Sequence, residues 1–171
     1  MTAATAARAG LDTGQLEKMV KDMYRDVARN PAGEFHFEMG RALAERLGYP
    51  AFDLDRIPAG AIESFAGVGY YFHLAKLRQG EAVIDLGSGS GTDSFVAALH
   101  VGPNGKVLGV DMTDAQLEKA ERLRAAAGLA HLSYLKGYIE RVSRADGSFD
   151  AVISNGVINL APDKQQVFNE A

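Results

Sequence analysis

The stretch Val83-Ile84-Asp85-Leu86-Gly87-Ser88-Gly89-Ser90-Gly91 constrains this chain more than any other. A short apolar run ends in an acid and is followed by three glycines at alternate positions. Glycine lets the backbone turn sharply and lets a ligand come close to main-chain atoms. The residues that follow, Thr92 to His100, are predicted to form a helix whose first free N–H groups face that turn. Strand, glycine-rich turn and helix in this order make a ligand-binding corner at the carboxyl edge of a parallel sheet.

The rest of the pattern supplies the sheet. Ala82 to Leu86, Lys106 to Val110, Leu132 to Leu135 and Phe149 to Ser154 are short apolar runs with little alternation, as expected of strands buried on both faces. A helix over Asp114 to Ala127 separates the second and third. Thr113 and Gln116 offer it a capping box, and Gly128 offers a C-terminal stop. The alternation predicts a doubly wound α/β sheet with right-handed crossovers. A last helix is predicted from Pro162, with Val167 and Phe168 on its inner face. Four strands and one short helix are few for such a sheet, so residues 80–171 are expected to be a ligand-binding domain incomplete at its C-terminus.

Ahead of the sheet, residues 12–79 read as a helical extension. Leu16, Val20, Met23 and Val27 recur at helical spacing, Asp12 with Gln15 offers a capping box, and Asn30-Pro31 ends the helix. A second helix is predicted over Glu38 to Leu47. Two short ones are predicted between Pro58 and Arg78, around a flexible joint at Ala66-Gly67-Val68-Gly69. Residues 1–11 are Ala/Thr-rich and are expected to be a disordered tail. Tyr70, Tyr71 and Phe72, with the N-terminal helices, are candidates for a lid over a second ligand; the alternative is that they are core aromatics.

Composition sets limits. The 171 residues contain no cysteine, which excludes disulfides, Cys-based metal sites and a Cys nucleophile, and fits a reducing, cytoplasmic setting. Net charge is −4 with no basic stripe, which gives no support to a nucleic-acid or anionic-membrane partner. No stretch approaches a membrane span. His36 and His73 have no spaced partners of metal-ligand type, and no metal site is predicted.

The chemistry rests on charge. A dinucleotide site reads G-x-G-x-x-G, whereas here the third glycine comes one residue early. Asp85 at the strand end would repel a pyrophosphate but suits a cation. S-adenosylmethionine carries a sulfonium, an ammonium and one carboxylate: Asp85 can attract the ammonium while the amides of Gly87, Ser88, Gly89 and Gly91 take the carboxylate. Asp111 follows the second strand about 20 residues past Gly91, where an acid binds ribose hydroxyls; it could also cap the next helix. Met112 would then lie against the adenine. In the loop Gly137-Tyr138-Ile139-Glu140, the backbone N–H of Ile139 and the carboxylate of Glu140 are candidates for the adenine edge, although Glu140 could equally be solvated and Tyr138 could stack or merely pack. After the fourth strand, a carbonyl near Asn155 would face the methionine portion of the cofactor and the incoming substrate. No catalytic base is identifiable.

Together, Val83 to Gly91, Gly109-Val110-Asp111-Met112-Thr113 and Val152 to Leu160 with Pro162-Asp163-Lys164 resemble the arsenite methyltransferases and their close relatives. Gly33-Glu34-Phe35-His36-Phe37 and Phe65 to Tyr70 are similar to segments preceding the cofactor domain in that family. The resemblance implies a Rossmann-like class I methyltransferase sheet of order 3-2-1-4-5-7-6, with the last three strands absent here, and methyl transfer from S-adenosylmethionine. It also implies two cysteines that hold trivalent arsenic, at positions matching the neighbourhood of Val68 and Gly156, where this chain has no thiol. The expected function is therefore methylation of a small molecule. An inactive cofactor-binding module or subunit is the main alternative, and arsenite methylation and nucleotide-dependent redox chemistry rank lower. An unpaired fourth-strand edge would invite a second copy.

Overall fold

The computed structural model describes residues 13–33 and 35–171. The expected tail, the Asp12 cap and Glu34 lie outside them. Four strands, β1 (Ala82–Leu86), β2 (Lys106–Asp111), β3 (Leu132–Lys136) and β4 (Ala151–Ser154), form one parallel sheet of order β3-β2-β1-β4. β1 is central, and its pairing of Asp85 with Gly109 on one side and Ile153 on the other brings the acid to the sheet's carboxyl edge. This is the three-layer logic of a doubly wound fold, since a strand buried on both faces must be covered by helices.

Eight α-helices complete the described residues: α1 (Thr13–Arg29), α2 (Arg41–Arg46), α3 (Ala51–Leu54), α4 (Ala59–Glu63), α5 (Phe72–Ala75), α6 (Thr92–Val101), α7 (Asp114–Ala127) and α8 (Lys164–Glu170), with a 3-10 turn over Ile158–Leu160. On one face, Val83, Val107, Leu132 and Ile153 pack against Phe95, Val96 and Val101 of α6 and against Leu54, Ile62, Phe65 and Phe72 of the helical extension. On the other face, Ile84, Leu86, Leu108 and Val110 meet Ile139, Val142 and Val167. Phe95 is fully buried, and so many apolar neighbours at α6 fix the glycine turn that precedes it.

Several expectations are corrected. The second helix begins at Arg41 rather than Glu38, because Gly40 takes a φ of 84° and starts it. A short helix, α3, follows Pro50 where none was expected. The last helix starts at Lys164, capped by the Asp163 carboxylate accepting from the Gln166 N–H at 3.1 Å. Its Val167 is buried, but Phe168 is 63% exposed: adjacent residues point about 100° apart on a helix, so both cannot face inward. The capping box at α7 does not form. Thr113 makes no side-chain cap bond, and Gln116 turns inward to donate to the Tyr24 carbonyl at 2.9 Å.

Candidate functional site

At the carboxyl edge of the sheet a cleft, open at its mouth, runs past the ends of β1, β2 and β4. Its floor is the glycine turn. Gly87, Gly89 and Gly91 all have positive φ, at 77°, 54° and 95°, which L side chains rarely adopt. A Cβ on Gly87 would also come within 2.5 Å of the Val157 side chain. Gly91 differs from the other two: it caps α6, and a Cβ there would run into the Tyr134 hydroxyl. It shapes the turn from behind the cleft wall. The other sequence-derived positions, Asp85, Gly87, Ser88, Gly89, Asp111, Met112, Ile139, Glu140 and Asn155, are brought together on that wall.

The acids are held in distinct ways. Asp85 is 1% exposed and accepts from Ser94 Oγ at 2.6 Å. Burial, reinforced by the nearby Asp93 carboxylate, pushes its pKa well above the usual carboxylate range. Asp111 Oδ2 accepts the Gly89 N–H at 2.9 Å and Oδ1 accepts the Thr113 N–H at 2.8 Å. The acid at the end of β2 thus fixes the glycine turn as well as the start of α7. Burial raises its pKa, while these N–H groups hold it down. Each carboxylate oxygen keeps a further lone pair that can accept from a ligand.

Asp93 was not singled out in the sequence, because an acid in the first turn of a helix reads as a favourable charge near the helix N-terminus. It is 6% exposed and accepts from the Tyr49 hydroxyl at 2.5 Å and from Asn155 Nδ2 at 3.0 Å. Burial pushes its pKa up. Asn155 is the hub of this network: its amide also donates to Gly69 O at 3.0 Å and accepts from the Val68 N–H at 2.8 Å. The Ala66 to Gly69 joint is therefore tied to the end of β4. It carries Val68 beside Gly156, where a Cβ would lie 3.6 Å from Val68 Cγ1.

The helical extension contributes more than expected. Leu16, Glu17, Val20 and Tyr24 of α1 form a wall of the cleft. Tyr70, Tyr71 and Phe72 do not line it; Phe72 is 2% exposed, and Tyr49 packs edge-on against Tyr70 and Phe72. His36 lies apart, in a separate open pocket with Phe35, Phe37 and Met39, and His73 stacks on Tyr70.

The composition of the wall tests the cofactor. Among the described residues that line the cleft, Glu17, Asp85, Asp93, Asp111 and Glu140 are acids, and none is Lys or Arg. Two phosphates would find no cation there. A ligand with a sulfonium and an ammonium finds the carboxylates of Asp85, Asp93, Asp111 and Glu140, which make no ion pair among the described residues. The Gly87 and Ser88 N–H groups donate to the Val110 carbonyl and the Gly89 N–H to Asp111, so the turn admits the ligand by close backbone approach rather than by free N–H groups. The residues fit S-adenosylmethionine.

Comparison with known proteins agrees. Residues 77–171 match the family model described as "Methyltransferase domain". The arsenite methyltransferase of Halobacterium salinarum is 44% identical over 127 residues, covering 74% of this chain and 32% of that protein. The arsenite methyltransferase of Aquipseudomonas alcaligenes is 50% identical over 106 residues, covering 56% of this chain and 30% of that protein. The crystal structure of an arsenic(III) S-adenosylmethionine methyltransferase from Chlamydomonas reinhardtii superposes with a TM-score of 0.63 at 42% identity, covering 71% of this chain and 43% of that one. The chain spans about a third of the length of the curated relatives it matches. With its 3-2-1-4 parallel sheet, its glycine turn and its acid-lined cleft, the chain belongs to the methyltransferase domain family, in the class I group that uses S-adenosylmethionine.

Proposed function

We propose that this chain forms the cofactor-binding part of a methyltransferase that acts on a small-molecule acceptor in the reducing cytosol. The observation that carries this reading is the cleft wall, rich in carboxylates and without Lys or Arg, built around a glycine turn. S-adenosylmethionine, when bound, supplies an electrophilic methyl carbon on a sulfonium leaving group. Asp85 and Asp93 are assigned to offset the cationic end, and Gly87, Ser88 and Gly89 to let the methionine portion approach the main chain closely. Asp111 is assigned to the ribose, Met112 to one face of the adenine, and Ile139 N–H with Glu140 to its edge. The Asn155 carbonyl borders the place where acceptor and methyl group meet. These residues act by orientation and exclusion of water, which can lower a barrier by about 7–11 kcal/mol in favourable cases. No residue is assigned as a base.

The acceptor follows from Val68 and Gly156. They are neighbours, as expected if the two thiolates of the arsenite methyltransferases come from these positions, yet here one is a hydrocarbon and the other has no side chain. A soft trivalent arsenic centre finds no sulfur ligand in this chain. Purified full-length protein given labelled S-adenosylmethionine, arsenite and glutathione is expected to form no methylated arsenical above background. Sustained methylarsenical production would reverse the assignment of the acceptor.

A further inference from the structure

Helix α1 lies along the cleft and is fastened differently at its two ends. Toward its C-terminal end the ties are buried. Gln116, 1% exposed, donates to the Tyr24 carbonyl at 2.9 Å and accepts from Ser90 Oγ of the glycine turn. Val27 is fully buried, and its carbonyl accepts from Ser64 Oγ at 3.5 Å. Toward the N-terminal end, where Val20 is also buried, a three-membered cluster at the surface ties α1 to the loop after β3. The Tyr138 hydroxyl donates to Glu17 Oε1 at 2.7 Å, and Lys21 Nζ donates to Glu17 Oε1 at 2.5 Å and to the Tyr138 oxygen at 2.9 Å. The same ammonium lies 5.0 Å from the centroid of the Tyr138 ring.

This cluster bridges the cleft. Glu17 stands on one wall, and Tyr138 stands on the other, in the loop after β3 assigned to the adenine edge. Tyr138 is 46% exposed, and its ion-pair partners are a third or more exposed, so water competes for every bond in the cluster. Exposed pairs of this kind contribute little. Buried bonds hold the C-terminal part of α1, whereas the hydrogen bonds that cross the cleft from Glu17 and Lys21 to Tyr138 are solvated, so opening starts where those bonds break.

We infer that α1 is a hinged cover over the adenosine half of the cleft, that the Glu17–Lys21–Tyr138 cluster is its latch, and that the latch sets how fast an adenosine-containing ligand leaves. The inference rests on the cleft being the S-adenosylmethionine site. Tyr138 and Lys21 are positioning residues in this account. Lys21 is not part of the cleft wall, so it reaches a bound ligand only through the latch.

The test is the dissociation rate of S-adenosylhomocysteine from the full protein, followed by surface plasmon resonance, for wild type, Tyr138→Phe, Lys21→Met and the double variant. Tyr138→Phe keeps the ring and removes the hydroxyl; Lys21→Met keeps the apolar stem and removes the charge. Each single variant is expected to speed dissociation by about two- to fivefold, the scale of an exposed ion pair. The double variant is expected to add little to either, because one cluster is broken in both. Raising the salt concentration is expected to speed release from wild type and to leave Lys21→Met nearly unchanged. Normal binding with unchanged dissociation rates in the folded variants would overturn the cover alone. Absence of S-adenosylhomocysteine binding in all four proteins would overturn the cofactor reading and the cover with it.

Discussion

The sheet from Ala82 to Ser154 and the helical extension from Thr13 to Arg78 meet along one seam, and they hold their polar groups in opposite ways. In the sheet half the buried polar groups at the cleft are carboxylates at strand ends, Asp85 and Asp111, held by short bonds from Ser94, Gly89 and Thr113. In the helical half, behind the cleft wall, the buried phenols of Tyr49 and Tyr71 are neutral and packed among aromatic rings. Asp93 is the point of contact, reached by Tyr49 from one side and by Asn155 from the other. The difference teaches where binding energy is stored. Charges buried without a cation cost stability in the free protein and are poised for a cationic ligand, whereas the buried Tyr49 phenol joins the two halves.

The largest effect comes from removing a charge on the sheet side. Burial and Asp93 raise the Asp85 pKa in the folded protein above its ordinary value of 3.8. Between those two values the folded state holds more protons than the unfolded one, so this group's contribution to stability falls as pH rises. The stability of Asp85→Asn relative to wild type is therefore expected to rise between about pH 4 and about pH 7, by up to about 1.4 kcal/mol per pH unit. Urea unfolding of both proteins at each pH measures it. A difference independent of pH would mean that Asp85 is not strained by its burial.

Smaller effects come from the seam. Tyr49→Phe removes the donor to Asp93 and the acceptor for Asn155, and is expected to destabilise by about 1–3 kcal/mol. The Tyr71 hydroxyl is buried close to the Asp93 carboxylate but makes no hydrogen bond of ordinary geometry. Tyr71→Phe is therefore expected to cost less than Tyr49→Phe, staying within about 1 kcal/mol of wild type in the same unfolding measurement. Equal losses in the two variants would erase the distinction between a joined and an idle phenol.

The same contrast explains what the sequence made legible. Parallel strands buried on both faces write themselves as continuous apolar runs, so β1 to β4 were found within a residue or two of their ends. Three glycines after an acid announced the turn. The seam left no such signal. Tyr49 sits between Gly48 and Pro50, which read only as the stop of a helix, and Gln116 fitted a capping box as well as it fits the interior. Whether Gly91 touches a ligand or a neighbouring tyrosine depends on Tyr134, more than forty positions away by number, and helical spacing alone could not decide which of Val167 and Phe168 faces inward. Backbone pairing leaves a local pattern. Side-chain networks between distant segments do not.

The central claim is that the acid-lined cleft takes a sulfonium cofactor rather than a dinucleotide. Titration calorimetry of the purified protein with S-adenosylmethionine, S-adenosylhomocysteine and NAD tests it most directly. The account predicts saturable binding of both methionine-derived ligands and no heat from NAD beyond dilution. Saturable binding of NAD, with no response to either S-adenosyl ligand, would contradict it.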